Sequence, residues 1–211
     1  MGGTAADAAG RQKPLRIVGL ACSLRQGKTT FTATSLCLEA AKQVAPDQIA
    51  IEVLDLAARK IPAGPAAGIE LPPGEQDDFP AIAQLLSDPA TVGMVVGTPV
   101  YFGSMSSLCK AFLERCAIFR QDQFTLANKV AGVLAVGGAR NGGQELTLRA
   151  VHTALFAQEM IVVGDGRPTA HWGGTLWNNA GDEIWRDEPG VATAKNLGRR
   201  VAEIALRLHG R

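Results

Sequence analysis

No apolar stretch in the 211-residue chain approaches the ~20 residues that cross a bilayer, so a membrane partner is not expected. The opening MGGTAADAAGRQKP lacks the apolar core of a secretory signal, and residues 1–14 read as a disordered leader. Basic runs are missing as well. With a formal charge of +1, nothing points to a nucleic-acid partner or an anionic surface. Four cysteines (Cys22, Cys37, Cys109, Cys116) make no CxxC pair, which favours buried reduced thiols over a disulfide framework. Nor is there an HxH or HExxH spacing, so no metal site is expected. These absences together predict a cytoplasmic protein.

What is present is the pattern of one α/β domain over residues 15–211. Hydrophobic residues make up 46% and charged ones 19%, enough to bury a substantial core. Short apolar runs at 15–21, 49–54, 92–96, 130–136 and 160–163 alternate with segments of helical period. The helical stretches lie at 28–45, at about 79–87, after the third run (Met105, Leu108, Phe112), after the fourth (Leu148, Val151, Leu155) and at the end. That last helix places Ala194, Leu197, Val201, Ile204 and Leu208 on one face. Residues 164–190, with all three tryptophans, read as a long irregular excursion. Five strands in β-α alternation predict a parallel sheet covered by helices on both faces. Ligands of such sheets sit beyond the carboxyl ends of the strands, where three unusual loops gather.

The first loop, Ser23-Leu-Arg-Gln-Gly-Lys-Thr-Thr30, leads into a helix whose N-terminus suits a phosphate. Ser23, Thr29 and Thr30 offer hydroxyls, Arg25 and Lys28 offer charge, and no acid intervenes before Glu39. Plain capping is the competing reading, but it gives no reason for two cations where the helix dipole disfavours them. Residues 22–29 are also one substitution from a P-loop, with Cys22 in place of the first glycine and Asp55 the one candidate metal-holding acid. The second loop, 98–105, combines Pro99, Gly103 and two aromatics, Tyr101 and Phe102, and suits a planar ligand. The third, 137–145, has four glycines in seven residues just before a helix. Its backbone N–H groups would stabilise negative charge that develops on a ligand.

In this order the three motifs resemble the flavodoxin-like NADPH-dependent FMN reductase family, closest to its branch of iron–sulfur flavoproteins and quinone reductases. The resemblance covers about residues 15–208 and implies a doubly wound sheet of order 2-1-3-4-5. It implies that Ser23, Arg25, Thr29 and Thr30, with Gly27 and Lys28 in the same loop, hold the phosphate of FMN. Pro99, Val100, Tyr101, Phe102, Gly103 and Ser104 would line the flavin ring, and Gly138, Ala139, Arg140, Asn141 and Gly142 would face its pyrimidine edge. Lys28 departs from the small residue usual in the family. The cysteine cluster of the iron–sulfur members is missing from residues 55–79, so no iron–sulfur cluster is expected.

The chemistry of such a protein belongs to the flavin, and no acid–base triad is apparent. His152 and His209 read as surface residues. His171 and Trp172, in the excursion, are candidates for contact with substrate or with a neighbouring subunit. The expected activity is transfer of electrons from NAD(P)H through FMN to a quinone, free flavin or other small acceptor, in a homodimer or homotetramer. The alternatives are an FMN-bearing electron carrier or redox sensor and, more remotely, a P-loop phosphotransferase.

Overall fold

A computed structural model describes residues 13–178 and 181–210. Apart from Lys13 and Pro14, both exposed, the expected leader lies outside the described residues. The apolar runs form parallel strands: β1 (Leu15–Ala21), β2 (Ile49–Asp55), β3 (Thr91–Pro99) and β4 (Val130–Gly137). Every residue of β3 and β4 is buried, as central strands covered on both faces require. The more polar β2 takes the edge, and the order is β2-β1-β3-β4-β5.

The fifth position departs from the expectation. β5 is only Ile161–Val162, paired with Val130 and Ala131 at the start of β4. The chain then leaves the sheet and returns as β6 (Gly174–Trp177), parallel to the second half of β4 from Leu134 to Gly137. The sheet therefore has six strands, and part of the excursion is regular structure. Four residues beginning with glycine carry too little pattern to be read as a strand; the exposed edge of β4 supplies the partner that makes them one.

Helices α1 (Thr29–Lys42) and α6 (Glu188–His209) cover one face, with Leu38, Leu197 and Val201 on Ile17, Val95 and Leu134. Helices α2 (Phe79–Ser87), α3 (Ser107–Arg115), α4 (Ala117–Gln121) and α5 (Gln144–Phe156) belong to the other face. There Phe79, Phe112, Phe119 and Leu148 pack on Val18, Leu20 and Val133. Met105 precedes α3 and does not belong to it, because Ser106 caps that helix by accepting from the Cys109 N–H at 3.0 Å. In α6 the buried stripe Ala194, Leu197, Val201 continues through Ala205, while Ile204 is partly exposed and Leu208 half exposed. His152 is not a surface residue but half-buried beside Phe156, and burial pushes its imidazole pKa down. His209 remains exposed enough to meet the Asn128 carbonyl at 3.2 Å.

Parallel pairing continues past the strand ends and fixes where the loops start. The Cys22 N–H donates to Gly97 O (2.7 Å) and the Val100 N–H to Val136 O (2.9 Å). All three loops of interest thus leave the same edge of the sheet.

Candidate functional site

The first loop is shaped by a carboxylate from the neighbouring strand. Asp55 accepts from the Gly27 N–H at 2.7 Å and from the Ala57 N–H at 3.1 Å. Gly27 has φ +66°, a left-handed conformation that costs glycine little. Lys28 occupies the N-cap position of α1 without a side-chain cap bond, and no acid lies in the first turn. Plain capping therefore does not account for the loop's hydroxyls. The start of α1 offers its N–H groups and positive end to the cleft, beside Ser23, Thr29 and Thr30.

The cations of this loop already gather an anion. Asp182, from the segment after β6, lies 2.9 Å from Arg25 and 3.1 Å from Lys28. The hydrogen bond from Lys28, then Arg25, holds its carboxyl below the usual range. Sequence reasoning missed Asp182, which has no local signal.

Ser106 joins the first two loops. Its hydroxyl donates to Cys22 O at 2.5 Å, and its N–H donates to the buried Thr98 hydroxyl at 3.1 Å. From there Tyr101 and Ser104 exchange backbone hydrogen bonds of 2.8 and 3.0 Å around Phe102 and Gly103, with φ +51° and +74°. Two consecutive positive φ values describe a tight primed turn, an unusual conformation for phenylalanine. The turn leaves the Phe102 ring fully exposed.

The third loop is folded by a residue that sequence reasoning passed over, the buried Gln144. Its amide donates to Ala139 O (2.6 Å) and Leu176 O (3.2 Å) and accepts from the Gly142 N–H (2.9 Å). A glutamine directly after a glycine-rich loop, at a helix start, was the available signal. Arg140 pairs with the buried Asp187 and lies over the Trp177 ring at 5.3 Å. Asp187 also accepts from the N–H of Trp177 (2.7 Å) and of Gly190 (3.0 Å), so it ties this loop, β6 and the cap of α6 together.

One cleft of about 360 Å³ brings together Ser23, Arg25, Thr29, Thr30, Pro99, Val100, Tyr101 and Gly138, along with Val136 and Asp182. Gly27, Lys28, Phe102, Gly103, Ser104, Ala139 and Gly142 belong to the same loops but not to its wall. Arg140 and Asn141 line a second cavity, of about 700 Å³, together with Gly143, Leu146 and His171. Behind His171 sits Asp165, fully buried, which accepts from the His171 N–H and from the Thr169 hydroxyl and lies 3.5 Å from Nδ1. Trp172 is half exposed beneath Arg149, whose guanidinium lies 5.0 Å from the ring centre.

All four cysteines are buried free thiols. Cys22, Cys109 and Cys116 share one core, where burial first and then Cys109 push the Cys22 thiol well up, and Cys37 lies in the other core. Among the described residues no three His, Cys, Asp or Glu side chains are grouped to hold a metal ion. Four accessible thiolates are needed for a cluster, so these residues do not fit one. No helix of the described residues is long and apolar enough to cross a membrane.

Residues 15–173 match the family described as NADPH-dependent FMN reductase. An iron–sulfur flavoprotein of Methanocaldococcus jannaschii is 37% identical over 196 residues, 90% of this chain and 97% of that protein. An NAD(P)H dehydrogenase (quinone) of Acidithiobacillus ferrooxidans is 35% identical over 130 residues, 56% of this chain and 64% of its own length. Among solved structures, a flavodoxin-type, WrbA-like protein of Agrobacterium tumefaciens superposes with a TM-score of 0.61 at 18% identity, covering 92% of this chain and 98% of that one. The last likeness bears on the fold alone and agrees with the strand order.

Proposed function

The chain belongs to the NADPH-dependent FMN reductase family, and from that membership we propose that it passes electrons from NAD(P)H through FMN to a quinone or another small acceptor. The observation that carries this reading is the first cleft. A phosphate-suited helix start, a flat proline-bearing loop and a glycine-rich loop converge on one space there. The donor set fits FMN: Arg25 and Lys28 already draw a carboxylate to the place assigned to the phosphate. Ser23, Arg25, Thr29 and Thr30 hold that phosphate, and Pro99, Val100 and Tyr101 lie along the ring. Gly138 and the backbone after it meet the pyrimidine edge, near the positive end of α5. Bound FMN supplies the two-electron chemistry; the protein contributes position, electrostatics and exclusion of water.

The same reading carries no iron–sulfur cluster, since the thiols lie inside the two cores. A phosphotransferase is disfavoured because its one candidate acid, Asp55, is engaged by the loop backbone. The purified chain is expected to bind one FMN, to bleach rapidly with NAD(P)H, and to contain background iron only. Arg25→Ala should weaken FMN binding by about 1.5 kcal/mol, roughly tenfold, with riboflavin affinity unchanged. A protein that takes up no FMN would overturn the reading. An equal loss for riboflavin would move the phosphate away from Arg25.

A further inference from the structure

At about 360 Å³ the first cleft is at the small end of ligand sites and is assigned above to FMN. The electron donor of the family is a dinucleotide, and its adenosine phosphates must lie outside that cleft. The third loop forms a wall between two spaces: Gly138 faces the first cleft, and Arg140, Asn141 and Gly143 face the cavity of about 700 Å³. The first turn of α5 continues this wall through Leu146, and Arg149 follows on the same helix face. The cavity's own cations are already matched, Arg140 by Asp187 and His171 by Asp165. Arg149 is different. It forms no ion pair among the described residues, and it lies over an indole that is 50% exposed.

An exposed aromatic plane beside an unneutralised guanidinium offers what a purine and its phosphate need, a stacking surface and a charge-assisted bond. Thr169, Thr175 and Thr193 add hydroxyls along the cavity between this platform and the third loop. We propose that the second cavity, with Trp172 and Arg149 at its rim, is the subsite for the adenosine phosphates of the nicotinamide donor, and that Arg149 selects for the 2′-phosphate. This rests on the reading of the first cleft as the FMN site.

The test is titration of the FMN-loaded chain with adenosine 2′,5′-bisphosphate, followed by calorimetry and tryptophan fluorescence. The bisphosphate is expected to bind in competition with NADPH, to quench Trp172, and to bind more tightly than ADP. Arg149→Ala should weaken it about tenfold, and Trp172→Ala at least about fivefold, as lost charge-assisted bonding and stacking imply. In steady state, R149A should raise KM for NADPH about tenfold relative to KM for N-benzyl-dihydronicotinamide, which has no adenosine half. Absence of binding overturns the proposal, as does equal affinity in both variants, or a KM for the truncated donor that rises in step with that for NADPH. Repeating the titration without flavin separates the two readings: a chain that binds the bisphosphate but never FMN refutes the first cleft alone.

Discussion

Asp182 is the residue whose role is least visible from its neighbours in sequence. It stands 157 positions from Arg25, yet the two are in contact. Arg25, Lys28, Thr29 and Thr30 are legible as a phosphate loop because a helix start and its donors are local features. The carboxylate that shares those cations comes from a segment placed by β6. A phosphate entering the loop meets this charge, so removing it favours the ligand. Asp182→Asn should tighten FMN binding about two- to fivefold, a modest gain in keeping with the exposure of the pairs, and leave riboflavin binding unchanged. Fluorescence titration with the two flavins measures it. Weaker FMN binding by D182N would show that the carboxylate supports Arg25 and does not compete with the phosphate.

At the scale of elements, the close contact of α1 with α6 depends on one missing side chain. A Cβ at Gly198 would stand 1.8 Å from the Cys37 carbonyl oxygen, which the α1 backbone cannot yield without shifting. Gly198→Ala should therefore destabilise the fold by about 3 kcal/mol or more, read as a lower midpoint in urea unfolding. A loss below 1 kcal/mol, the range of a tolerated surface change, would mean that α6 rides freely on α1. The helix periods were readable because apolar spacing survives in sequence, and Phe79–Ser87 agrees residue for residue. The divided fifth position was not. β5 and β6 have two and four residues, and each is a strand only because a stretch of β4 was left unpaired.

Taken as a whole, the molecule presents the Tyr101–Ser104 turn outward beside its cleft, with Phe102 uncovered by anything in its own chain. A strained turn that exposes a phenylalanine is best explained by a cover, and a second copy of the chain is the occupant expected here. The FMN-loaded protein should sediment as a dimer at micromolar concentration. Phe102→Ser should raise the dimer dissociation constant at least about tenfold if the ring is a central anchor. A wild-type monomer at that concentration would exclude the shared arrangement.

The sequence by itself determined the sheet class, the order of the loops along the chain and the donors of the phosphate site. Each depends on residues within one strand–loop–helix unit, where period, glycine and hydroxyl positions act over a few residues. Tertiary structure alone decided that Asp182 meets Arg25, that Asp187 holds Arg140, and that Arg140 and Asn141 line a separate cavity with His171. These contacts join segments dozens of residues apart, and whether they form depends on where the chain returns to the edge of β4. That return is set by packing and backbone pairing across the sheet, which no local pattern encodes.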